Sequence, residues 1–165
     1  MTSAERRTDD SAAASRTSDR LATIPLVGCL LAIDLGDKRI GLAASDPTQL
    51  LAHPVDTLVR RVGKRFPLKQ LRGQLDRDRP VGIVIGLPLE CDGSEGTRAQ
   101  EAREVAALLA EKTGLPTVLF DERMTTARAL RAVREMGGKI RGRKGEVDRL
   151  AATTLLQSFL DGRRR

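Results

Sequence analysis

One residue is out of place in the longest apolar stretch of this chain. Residues 26–35 (LVGCLLAIDL) form a nearly continuous hydrophobic run, which predicts a buried central strand. Asp34 sits near its end. A carboxylate cannot remain charged in a core without a partner. The strand is therefore expected to deliver Asp34 to its carboxyl edge, where open α/β sheets build their sites. A turn or capping aspartate is the competing reading.

The rest of the pattern supplies a sheet around that strand. Residues 39–45 (RIGLAAS) read as a second strand, joined to the first by turn chemistry at 34–38. Residues 50–59 form a third strand that Pro47 and Pro54 limit to an edge role. Leu68, Leu71 and Leu75 mark a helix over 66–77. Residues 81–85 (VGIVI) predict another buried strand, followed by Gly86-Leu87-Pro88 and a polar loop at 90–96. A helix over 97–112 is stopped by Gly114 and Pro116. A strand at 117–120 follows, then a helix from Thr125 and Thr126 to 136, then a last helix over 147–160. The order β-β-β-α-β-α-β-α-α predicts one α/β domain, a mixed five-stranded sheet with helices on both faces. Residues 1–25 are rich in Ser, Thr, Ala, Arg and Asp and are expected to be a disordered leader.

Composition removes several function classes. There is no Trp, no Tyr and only Phe66, Phe120 and Phe159, so base stacking on exposed rings is not the mode of recognition. Cys29, Cys91 and the single His53 have no zinc spacing, and they read as reduced cytosolic thiols and a lone imidazole. No apolar run approaches the roughly 18 residues of a membrane span. A cytoplasmic protein is expected. The net charge of +7 lies wholly in residues 128–165, which hold eleven basic and four acidic residues. That end includes the glycine-rich basic loop 137–145 (GGKIRGRKG), a surface suited to a polyanion. A solvated tail is the plainer explanation.

Two more acids recur at element ends. Glu122 follows the strand at 117–120, with Asp121 as its competitor on the opposite face and Arg123 available to neutralise whichever is left. Asp148 opens the last helix and shares a face with Ala151, Ala152 and Leu155, two small residues that allow a close approach to the sheet. Glu146 is the alternate acid in that turn. Three converging carboxylates without histidine or cysteine would form a hard-oxygen site suited to Mg²⁺ or Mn²⁺. Two such metals about 4 Å apart can serve both oxygens of a phosphodiester displacement.

Four segments then resemble, in order, the motifs of the YqgF (RuvX-like) family. They are IDLGDKRIGLA at 33–43, GLPL with DGSEG at 86–96, DERMTT at 121–126 and VDRLAA at 147–152. The resemblance implies a ribonuclease-H-like fold. It also implies a nuclease that matures the 5′ end of pre-16S rRNA in ribosome biogenesis, with resolution of branched DNA as the alternative. By motif, Asp34, Glu122 and Asp148 become the catalytic, metal-holding acids. Arg98, Lys139, Arg141, Arg143 and Lys144 are the candidate substrate contacts. An ATP-dependent phosphotransferase shares an Asp-x-Gly turn after its first strand, and a non-catalytic nucleic-acid-binding factor could share the fold. The run Arg60, Arg61, Lys64, Arg65, Lys69 and Arg72 is either a second phosphate patch or a solvated helix face.

Overall fold

The computed structural model describes residues 24–61, 63, 65–124 and 144–164. The leader at 1–23, the helix expected at 125–136 and the basic residues 137–143 lie outside the described residues. Five strands form one sheet in the order β3-β2-β1-β4-β5. They are β1 (Leu30–Leu35), β2 (Arg39–Ser45), β3 (Ala52–Val59), β4 (Gly82–Leu87) and β5 (Thr117–Asp121). β2 is antiparallel to β1 and β3, whereas β4 runs parallel to β1 and β5 parallel to β4. The helices are α1 (Leu68–Asp78), α2 (Thr97–Thr113) and α3 (Lys144–Arg163).

β1 is central and wholly buried, as its composition predicts, but it begins at Leu30 rather than 26. The reason is Gly28, whose φ of 113° turns the chain while its N–H donates to Pro47 O at 2.8 Å. Leu26 and Val27 are left outside the sheet, each 73% exposed. Ile24 returns to the core, 2% exposed, so the packed chain starts before that turn. β2 and the edge position of β3 agree with the sequence reading. α3 starts at Lys144, three residues earlier than expected, which takes Lys144 and Gly145 out of the basic loop and moves Asp148 into the second turn. Gly145 reads as a loop residue, yet glycine in a helix costs only about 1 kcal/mol, which the packing of this long helix overrides.

Strand alternation divides the core in two. On one face Leu31, Ile33, Ile40, Leu42, Ile83 and Ile85 pack against α1 and α2 through Leu71, Ala102 and Leu109. On the other, Leu30, Ala32, Ala43 and Val84 meet Ala152, Leu155, Leu156 and Phe159 of α3. Phe120 of β5 stands edge-on to Phe159, with ring centroids 5.6 Å apart. At its far end α3 is tied down by Arg163, which donates to Ile24 O and Gln49 Oε1, both at 2.8 Å. Among the described residues no helix is long and apolar enough to cross a membrane.

Candidate active site

Register assembles the site. Asp34 of β1 pairs with Gly41 of β2. Ile33 pairs with Ile85 of β4, so the same register carried one residue further sets Asp34 beside Gly86. Residues opposite one another in a sheet share a face, and this is the α3 face. Asp34 thus lies between two strand positions that have no side chain.

Both vacant positions are filled by acid-bearing segments. A Cβ on Gly86 would stand 1.8 Å from Glu122 Oε1, so the Glu122 side chain lies directly over that glycine. A Cβ on Gly41 would stand 2.1 Å from the main-chain O of Asp148 and 3.4 Å from Ala152 Cβ. The glycine and the alanine allow α3 to press its backbone against β2 beside Asp34. All three carboxylates are buried: Asp34 is 1% exposed, Glu122 3% and Asp148 0%. The Glu122 side chain thus lies beside Asp34 on one flank, and the main chain of Asp148 lies over Gly41 on the other.

The neighbouring acid is disposed of as the alternation requires. Asp121 is gripped by Arg123, whose Nε and Nη2 lie 2.9 and 2.7 Å from Oδ2. The guanidinium hydrogen bond holds the Asp121 carboxyl below its ordinary range. Glu122 is thereby the acid of this pair that enters the sheet face, as the first residue of a 3-10 turn, Glu122–Met124. The same Arg123 reaches the 90–96 loop, since its Nη1 would lie 3.0 Å from a Cβ on Gly93, a residue held at a φ of 86°. Glu146, the alternate acid of α3, is exposed.

Other candidates separate. Arg98 opens α2 and pairs with Asp37 at 2.9 Å, half-exposed at the turn that follows β1. Lys139, Arg141 and Arg143 lie outside the described residues. Cys91 is exposed on the 90–96 loop, and Cys29 is half-buried with burial pushing its thiol up. The donor set that these three acids offer is hard oxygen throughout, which is the chemistry that suits a divalent cation. Among the described residues, no group of three or more His, Cys, Asp or Glu side chains is placed to hold a metal ion. The signal that sequence reading missed is the pair Gly41 and Gly86, because their role exists only across strands.

A meander with only β2 reversed, continued by two parallel strands and carrying buried acids on its helix-covered face, defines a ribonuclease-H-like fold. A profile of the RuvX family, described as a Holliday junction resolvase, matches residues 28–162, and the chain belongs to this family. A relative from Koribacter versatilis named "Putative pre-16S rRNA nuclease" is 42% identical over 136 residues, 82% of this chain and 88% of that protein. One of the same name from an Anaeromyxobacter species is 45% identical over 134 residues, 81% of this chain and 96% of that one. Among solved structures, Thermus thermophilus RuvC in complex with a Holliday junction substrate aligns at 19% identity and a TM-score of 0.47, covering 83% of this chain and 96% of that chain.

Proposed function

We propose that this chain is a cytoplasmic, metal-dependent endonuclease that matures the 5′ end of pre-16S rRNA. Its single nuclease domain begins within the stretch 1–25, since Ile24 packs in the core, and contains the basic segment 137–145. The observation that carries this reading is the row Gly41-Asp34-Gly86, where two missing side chains admit Asp148 and Glu122 to the face that holds Asp34. Acids offered on one face of the sheet supply the hard-oxygen ligands that a divalent ion takes. The names of the curated relatives support RNA as the substrate. The family's description supports branched DNA as the second reading.

Asp34, Glu122 and Asp148 would hold Mg²⁺ or Mn²⁺. When bound, such an ion lowers the pKa of an attacking water and offsets charge on the reacting phosphate. The chain's own residues then do the positioning. β2 and β4 fix Asp34 from both sides, α3 fixes Asp148 through its backbone contact on Gly41, and Arg123 holds Asp121 away from Glu122. Arg98, Lys139, Arg141, Arg143 and Lys144 supply positive charge for substrate phosphates.

The test compares cleavage of a pre-16S 5′-leader RNA with that of a four-way DNA junction, for wild type and Asp34→Asn. Asp34→Asn is expected to lose on the order of a thousandfold in rate, about 4 kcal/mol of barrier. Its Mn²⁺ affinity, measured by calorimetry, should fall in parallel. Cleavage persisting at the wild-type rate in Asp34→Asn overturns the assignment. Faster cutting of the junction than of the leader favours the second reading.

A further inference from the structure

We propose that the tip of the β1–β2 hairpin is a second surface for nucleic-acid phosphates, built by Lys38, Arg39, Arg61 and Arg65, with Arg39 innermost. It rests on the nuclease reading for its ligand and is distinct in sequence from the basic segment 137–145. Three backbone contacts and one side-chain contact gather the surface. Gly36 N donates to Arg39 O and Arg60 N donates to Lys38 O, both at 2.9 Å. Arg39 pairs with Val59 at the end of β3, and the Arg60 guanidinium reaches Gly36 O at 3.4 Å. The chain leaving β3 at Arg60 and Arg61 therefore emerges beside the hairpin tip.

The acids of this flank are already engaged. Asp37 is paired with Arg98 and Glu101 with Arg60. Lys38, Arg61 and Arg65 are exposed and Arg39 is half-buried. Among the described residues none of these four forms an ion pair. Fixed arginine–carboxylate pairs thus brace the surface while a second set of cations faces outward.

Strand alternation gives Arg39 its particular place. It stands two residues from Gly41 on β2, hence on the face of Asp34, about 7 Å along the strand from the acid row. Of the described residues that β1, β2 and β4 present on that face, Arg39 is the one cation. A long, permanently charged fork beside buried acids suits a phosphate next to the one being cut. Lys38 lies at the hairpin tip and Arg61 and Arg65 lie on the β3–α1 connection, so the surface tracks a polymer backbone rather than one phosphate.

The experiment measures binding by fluorescence anisotropy against salt concentration, using a labelled RNA hairpin and a DNA duplex. The chain carries Asp34→Asn so that neither probe is cut. Replacing Lys38, Arg61 and Arg65 together by Gln should lower the slope of log affinity against log salt by about 2 to 3, and Arg39→Gln alone by about 1. Both probes should respond, because phosphate contacts carry no base information. Lys69, Arg72 and Arg77 lie on α1, across the sheet from α3, and replacing them by Gln is expected to leave the slope unchanged. The proposal is overturned if the Lys38/Arg61/Arg65 variant keeps the wild-type slope, if the α1 variant loses as much, or if neither probe binds. Its failure is separable from that of the nuclease reading. A chain that cuts nothing but loses slope in the hairpin variant keeps this surface and discards the enzyme. A chain that cuts normally with an unchanged slope does the reverse.

Discussion

The two faces of the sheet are made from alternate residues of the same strands, yet they are built to opposite rules. Toward α1 and α2, β1 presents Leu31, Ile33 and Leu35, and β4 presents Ile83, Ile85 and Leu87. Toward α3, the same strands present Leu30, Ala32 and Asp34, and Gly82, Val84 and Gly86. The first face is bulky along its whole length. The second tapers from leucine through alanine to a carboxylate and bare backbone, so α3 comes closest to the sheet beside the acids. Bulk on one face supplies the hydrophobic stabilisation that lets the other give up side chains for a site.

The comparison predicts a separation of effects. Ile85→Ala, on the bulky face, should cost about 2–5 kcal/mol in chemical denaturation. The folded fraction should still bind Mn²⁺ with wild-type affinity, and a matching loss of affinity would mean that the faces are not separable. Gly41→Ala should cost about 1–3 kcal/mol, because its Cβ meets the α3 backbone at Asp148 rather than a flexible tip. Here Mn²⁺ affinity should fall together with stability. Gly86→Ala sharpens the contrast. Its Cβ meets only the far end of Glu122, which can swing aside, so stability should drop by about 1 kcal/mol while cleavage falls about a hundredfold.

The smallest effect lies away from both faces, in the β2–β3 loop. Asp46 Oδ1 accepts hydrogen bonds from Leu51 N and Leu50 N at 2.7 and 2.8 Å. The Leu51 contact first, then the Thr48 hydroxyl, and then the Leu50 and Thr48 amides lower its pKa from 3.8 to about 2. Because the folded value is depressed, this contribution is in place above 3.8 and is lost as pH falls through about 2. A carboxyl-carbon NMR titration should find its midpoint near the lower value, with the loop amides of Leu50 and Leu51 shifting together. A midpoint at the ordinary value would mean that those two donors do not hold the loop.

The sequence made the tapering face legible only in part. Asp34 is conspicuous because it interrupts an apolar run, and alternation alone favoured one of Asp121 and Glu122 without choosing between them. The limits of β2 were readable since Gly36 and Asp46 bracket it with turn chemistry. The start of β1 was not, because Gly28 is one more small residue in an apolar string until Val81 and Pro47 close around it. Gly41 and Gly86 carried no local signal at all. Each looks like a strand-weakening glycine, and its purpose appears only when register places Asp34 between them.

Arg163 joins places that the chain keeps far apart. It grips Ile24 O and Gln49 Oε1 at one end of α3, 15 residues and more than four helical turns from Asp148. The first described residues and the last therefore meet at a single clasp on the side of the sheet remote from the acids. A fold in which residues 24 and 163 already touch can be cut and rejoined. Linking residue 164 to residue 24 and opening the β3–α1 connection would yield a circular permutant whose new termini lie beside the hairpin tip, leaving the Asp34 row internal to the fold.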